Sequence, residues 1–134
     1  MTQRRILIVD DEPIIIEMLA QLLMIHYPEA ALVTAGTGLT ALEQAQANYF
    51  DLVLTDYQLP DMSGLSVARI LYSLMPSVQV VMMTGGLTKT ELYKLVRRHR
   101  IDGYLVKPFS CDQVCRLCDE LLTRLDDDPH RDDE

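Results

Sequence analysis

Three short apolar runs each end in residues able to do ionic chemistry. Ile6-Leu7-Ile8-Val9 leads into Asp10-Asp11-Glu12, Leu52-Val53-Leu54-Thr55 into Asp56, and Tyr104-Leu105-Val106 into Lys107. Runs of this length and composition are predicted strands buried on both faces, as in a parallel sheet. Open α/β sheets bind ligands beyond the carboxyl ends of their strands. If the three strands are parallel neighbours, Asp10, Asp11, Asp56 and Lys107 converge on one pocket. Carboxylates crowded there repel one another, and a hard divalent cation with oxygen ligands relieves that repulsion. A carboxylate beside such a cation can act as a nucleophile, while the lysine offers a point charge to an anionic group.

The rest of the chain supplies the elements that would place these residues. After the first strand, Pro13 suits the first turn of a helix, where its missing N–H is not needed, and Ile14, Met18, Leu19, Leu22, Leu23 and Ile25 recur at helical spacing until Tyr27-Pro28. Ala31–Ala35 reads as a strand, and Gly36-Thr37-Gly38 turns into a helix from about Leu39 to Asn48. Beyond Asp56, Ser63-Gly64 opens a helix with Leu65, Ala68, Ile70, Leu71 and Leu74 expected inward, closed by Pro76. Val78–Met83 is the fourth strand. Thr88-Lys89-Thr90-Glu91 is a capping-box pattern opening a helix to about His99, and Ser110-Cys111-Asp112-Gln113 repeats it after the strand Gly103–Val106. The last helix carries a stripe of Cys111, Val114, Cys115, Cys118, Leu121, Leu122 and Leu125 expected to face the core. Five strands alternating with five helices predict an α/β fold, a doubly wound, flavodoxin-like parallel sheet in the order 2-1-3-4-5.

Four strand-end features occur together: an Asp-Asp pair after the first strand, Asp56 after the third, Thr84 after the fourth and Lys107-Pro108-Phe109 after the fifth. In this combination the sequence resembles the receiver domain of two-component response regulators, over residues 4 to about 125. The resemblance implies that Asp56 accepts a phosphoryl group from a histidine kinase or histidine phosphotransfer protein. It also implies that Asp10, Asp11, Asp56 and the main-chain carbonyl of Gln58 hold Mg²⁺, that Thr84 and Lys107 contact the phosphoryl group, and that Tyr104 is an aromatic switch residue. It suggests a cis Lys107–Pro108 peptide. The physical reading agrees, since attack of the Asp56 carboxylate on phosphorus gives an acyl phosphate. Two departures from the pattern stand out: Arg100-Ile101 replaces the common Gly-Ala before the fifth strand, and Gly85-Gly86 after Thr84 suggests a mobile loop.

Three other chemistries compete. Gly36-Thr37-Gly38-Leu39-Thr40-Ala41 fits a dinucleotide-binding G-x-G-x-x-A between a strand and a helix, but it falls on the edge strand and leaves no room for a substrate domain. The Cys111, Cys115 and Cys118 spacing matches a cluster-binding loop, yet on a helix these offsets form one apolar stripe of reduced thiols. Aspartyl phosphatases also form an acyl phosphate but usually carry an acid two residues after the nucleophile, where Gln58 stands.

With 134 residues and 49% hydrophobic content the chain is expected to fold as one domain, residues 1–125, followed by an acidic disordered tail at 126–134. A net charge of −8 argues against direct nucleic-acid binding, and six acids against one arginine in residues 126–134 carry much of it. No apolar run is long enough for a membrane span or a secretory signal, which predicts a cytoplasmic location. Lys89, Lys94, Arg97, Arg98 and Arg100 crowd the fourth helix and its end, which predicts a basic patch on an anionic protein. The face of helix four, strand five and helix five is therefore expected to meet a downstream protein or a second copy of the domain.

Overall fold

The computed structural model describes residues 3–127. Its elements are β1 (Arg5–Val9), α1 (Pro13–His26), β2 (Ala31–Ala35), α2 (Gly38–Ala47), β3 (Leu52–Asp56), α3 (Gly64–Leu74), β4 (Gln79–Thr84), α4 (Lys89–Arg98), β5 (Gly103–Val106) and α5 (Cys111–Asp126). The five strands form one parallel sheet in the order β2-β1-β3-β4-β5, as the strand–helix alternation predicts. No helix among the described residues is long and apolar enough to cross a membrane.

Both faces of the sheet are buried, and strand periodicity sorts the side chains between them. Leu7, Val9, Val53, Val80 and Met82 point to one side, under α2, α3 and α4. Ile6, Ile8, Leu52, Leu54, Val81, Met83 and Leu105 point to the other, where Leu19 and Leu23 of α1 and Val114, Cys118, Leu121, Leu122 and Leu125 of α5 meet them. Each fully buried Leu, Ile or Val contributes about 1.5–3 kcal/mol, so the sheet is a rigid base for whatever its edge carries.

Register sets the level of the strand ends. Val9 pairs with Thr55, so Asp10 leaves β1 beside Asp56. Asp56 in turn pairs with Met83, and Thr84 with Val106, so Thr84 and Lys107 follow one step further along the same edge. The chain reverses direction across the sheet between β1 and β3, which opens a crevice there.

Helix faces depart from the sequence expectation in three places. In α3 the buried stripe is Gly64, Val67, Ala68 and Leu71, while Ile70 and Leu74 are exposed, because they lie about 110° and 70° from its centre at helical periodicity. In α1, Ile14, Met18 and Ile25 lie on the solvent side, opposite Leu19 and Leu23. In α5, Cys111 is exposed and Cys115 half-buried; the helix meets the core from Val114 onward and only Cys118 is fully covered. Asp126, expected in the tail, is the last residue of α5 and pairs with Arg4. The remainder of that tail, residues 128–134, lies outside the described residues.

Candidate functional site

Asp10 and Asp56 extend from two adjacent central strands, and Lys107 reaches them from β5. The Lys107 Nζ donates to Asp10 Oδ2 at 3.0 Å, Asp56 Oδ2 at 3.3 Å and Glu12 Oε1 at 3.3 Å. The Lys107–Pro108 peptide is cis. Asp10 is fully buried, Asp56 nearly so, and Asp11 is exposed. Burial pushes the Asp10 carboxyl above the usual carboxylate range, against the N–H of Glu12, which donates to its Oδ1 at 2.9 Å, and against Lys107. Burial alone would lower the Lys107 pKa, but its bond to Asp10 and the fields of Asp10 and Asp56 outweigh this and hold it above the ordinary lysine value.

Asp10, Asp11 and Asp56 each offer one carboxylate oxygen within 4.8 Å of the others. Three hard oxygen donors with one open side suit a divalent cation that keeps part of its water shell, so the donor set fits Mg²⁺. One lysine cannot neutralise three clustered carboxylates and Glu12, which leaves a negative site for such an ion.

The loop after Asp56 is tightly folded. Gly64 N–H donates to the Tyr57 carbonyl at 2.7 Å, Leu59 N–H to the Met62 carbonyl at 3.2 Å, and Gln58 and Ser63 form an isolated antiparallel bridge. A Cβ at Gly64 would stand 2.2 Å from the Asp56 carbonyl oxygen, so glycine there permits the close approach. Gln58 is exposed and its N–H lies 3.4 Å from Asp56 Oδ1. At the loop's tip, Asp61 accepts from the N–H groups of Gly38 and Leu39 at 2.8 and 2.9 Å. Those bonds, Leu39 first, hold its carboxyl below the usual range.

This last contact accounts for the glycine pattern that mimics a dinucleotide fingerprint. The helix N-terminus where a pyrophosphate would sit is filled by Asp61, and Gly38 lacks a Cβ because one would lie 2.4 Å from the Met62 Cγ. The cysteines do not form a ligand cluster; burial pushes the Cys118 thiol up to about 12.

Thr84 is buried at the end of β4, and its carbonyl accepts the Lys107 N–H at 2.7 Å. Tyr104 sits two residues before Val106, Thr84's partner across the sheet, with its ring exposed. The structure thus gathers Asp10, Asp11, Asp56 and Lys107 at one point, sets Thr84 at the end of β4 and Gln58 on the loop after β3, and leaves Tyr104 on the outer surface. Sequence reasoning missed Glu12 as a partner of Lys107, although it follows the acidic pair directly. It also missed Asp61, whose signal was an acid in the turn Pro60-Asp61 facing a helix that starts with glycine.

The response regulator receiver domain family matches residues 6–119. The chain belongs to this family. The receiver domain is 36% identical over 120 residues to the probable transcriptional regulatory protein TcrX of Mycobacterium tuberculosis, covering 89% of this chain and 50% of that protein. It is 35% identical over 128 residues to the DNA-binding response regulator MtrA of Mycobacterium leprae, covering 95% and 55%. The chain spans about half the length of the curated relatives it matches. Among solved structures, the signal receiver domain of an HD domain-containing protein from Pseudomonas fluorescens is 26% identical with a TM-score of 0.82, over 92% of this chain and 90% of that one. A chemotaxis response regulator of Vibrio cholerae is 26% identical with a TM-score of 0.79, over 90% and 99%. This receiver domain is therefore of the kind used in two-component systems.

The turn before β5, where Arg100-Ile101 departs from the common pattern, is rebuilt around charged groups. The Arg100 guanidinium lies 3.8 Å from the centre of the Tyr72 ring and donates to the Pro76 carbonyl at 2.9 Å. Asp102 accepts from the Tyr72 hydroxyl at 2.5 Å and the Val80 N–H at 2.8 Å. Arg100 is thus committed to α3 and does not extend the basic face of α4, contrary to the sequence expectation. Gly85 and Gly86 have no left-handed φ, and a Cβ at Gly85 would stand 3.3 Å from the Lys107 Cβ.

Proposed function

We propose that this receiver domain is a phosphoacceptor switch in which Asp56 receives a phosphoryl group from a histidine kinase or histidine phosphotransfer protein. The observation that carries this is the convergence of Asp10, Asp11, Asp56 and Lys107 within a few ångströms at the open end of β1 and β3. Asp10, Asp11, Asp56 and the Gln58 carbonyl would hold Mg²⁺, which when bound supplies positive charge against the repulsion between carboxylate and phosphate.

An Asp56 carboxylate oxygen forms the bond to phosphorus while the donor's P–N bond breaks and its electron pair stays on the histidine nitrogen. Lys107, already 3.3 Å from Asp56 Oδ2, contacts the phosphoryl oxygens, and Thr84 donates its hydroxyl. The added charge and three acceptor oxygens, judged by other phosphorylations, draw Thr84 inward. Full switching from 1:99 to 99:1 takes about 5.5 kcal/mol, which two or three charge-assisted hydrogen bonds of roughly 1.5–3 kcal/mol supply. Tyr104 then repacks on the outer surface beside β4 and β5. The lack of a second acid at Gln58 fits a slowly hydrolysed product and sets the domain apart from phosphatases.

The surface read by a downstream protein or a second copy comprises α4, β5 and α5. Tyr93, Tyr104 and Val106 are exposed there, and the Arg97 guanidinium lies 5.6 Å from the Tyr93 ring centre. This location is reached by the shift at Thr84 before any other face. The domain itself acts in the cytoplasm through proteins and makes no direct contact with nucleic acid. The test is labelling with acetyl phosphate and Mg²⁺ followed by intact-protein mass spectrometry. One phosphoryl group is expected on the wild type and none on Asp56→Ala; undiminished labelling of the variant refutes the assignment.

A further inference from the structure

The β3–α3 loop carries the Gln58 main chain assigned to the cation, and its internal bonds, the Leu59 N–H to the Met62 carbonyl and the Gln58–Ser63 bridge, shape the tip without tying it to the rest of the domain. Its ends are held by Asp56 and by the Gly64 to Tyr57 bond, and its tip, Pro60-Asp61-Met62, leans on α2. The α2 N-terminus needs an outside partner. Thr37 caps only the Thr40 N–H, at 3.1 Å, and the first turn of α2 contains no acid, so the Gly38 and Leu39 N–H groups and the positive end of the helix are left for Asp61. Both carboxylate oxygens are used, one on each N–H, which fixes the orientation of the side chain as well as its position.

Resting on the proposed role of the pocket, we infer that Asp61 is a positioning residue for the cation site. It ties the tip of the 57–64 loop to α2 and so holds the Gln58 main chain beside Asp56, without touching the ion or the phosphoryl group. A helix on the far side of the loop thereby sets the affinity of the pocket. Gly38 belongs to the same device, since Met62 reaches α2 only where the Cβ is missing.

The test uses the full chain and Mg²⁺ itself. For Asp61→Ala, the Mg²⁺ concentration giving half-maximal labelling by acetyl phosphate is expected to rise about tenfold, the lower end of what loss of a supporting group around a metal site costs. The rate at saturating Mg²⁺ should stay within about twofold of wild type, because the chemical groups are intact. Asp61→Asn, which keeps one oxygen acceptor, should fall between the two, and amide exchange at Gly38 and Leu39 should accelerate in Asp61→Ala. Thr37→Ala weakens the same helix end without releasing the loop and should leave the Mg²⁺ requirement unchanged. An unchanged Mg²⁺ requirement in Asp61→Ala, or an equal rise in Thr37→Ala, overturns the inference. If the wild type takes up no phosphoryl group, the phosphoacceptor reading fails on its own, and calorimetric Mg²⁺ titration of the same variants still decides the role of Asp61.

Discussion

Replacing Lys107 by methionine separates two effects that pull in opposite directions. Its side chain is 17% exposed and its ammonium shares Asp10, Glu12 and Asp56, so it competes with any cation for the same carboxylates. At the 3.0 Å separation from Asp10, a pair of unit charges interacts by about 1.4 kcal/mol even at the dielectric of bulk water, and by about 5.5 kcal/mol at an effective dielectric of 20. Lys107→Met should therefore bind Mg²⁺ at least about tenfold more tightly, since about 1.4 kcal/mol is tenfold in affinity. The metal-free protein should lose stability, up to the roughly 3–5 kcal/mol that follows removal of one partner from a buried ion pair. That loss depends on pH. Burial already places the folded Asp10 pKa above its unfolded value, and removing Lys107 raises it further, so the folded state holds the proton more tightly than the unfolded state. Stability of the variant then falls as pH rises from the ordinary aspartate range through the raised Asp10 value, and recovers on acidification or on addition of Mg²⁺. Calorimetric Mg²⁺ titration and urea melts at several pH values measure each part. Unchanged or weaker Mg²⁺ binding in Lys107→Met would refute the competition between lysine and cation.

Gly64→Ala places a methyl 2.2 Å from the Asp56 carbonyl, and because that neighbour is backbone the cost should reach about 1–3 kcal/mol or more, read from the urea midpoint together with a weaker Mg²⁺ response. Alkylation at pH 8 should modify the exposed Cys111 first and spare Cys118, whose thiol is buried and pushed up to about 12; mass mapping of the native and urea-unfolded protein decides this. Reversing Arg97 and Arg98 to glutamate should weaken association of the beryllofluoride-treated domain with its partner or with itself, most at low salt because exposed charges are screened within about 10 Å at 0.1 M. Unchanged association by light scattering would place the interface elsewhere.

The sheet order and the meeting of Asp10, Asp56 and Lys107 were legible because both follow from patterns repeated along the chain: apolar runs of strand length, helix caps and ionic residues at strand ends. Thr88 and Ser110 each form the capping box that their spacing announces. The orientation of α1 and α3 was harder to read, since Ile14, Ile25, Ile70 and Leu74 are apolar yet exposed, and only the angular position around the helix separates them from the core. The contacts of Asp61 and Arg100 escaped notice for another reason. Their partners, the α2 N-terminus and the Tyr72 ring, lie more than 20 residues away in sequence, and periodicity carries no information about such contacts.

Arg4 holds Asp126 at the amino edge of the sheet, so both ends of the described body leave the domain on one side. The carboxylate pocket lies a full strand length away, about 17 Å at five residues per strand. Fluorophores attached beside Arg4 and Asp126 would therefore sit close together and report little of what happens at Asp56. A distance sensor built on this domain needs one label at an end and the other on the outer face of α4.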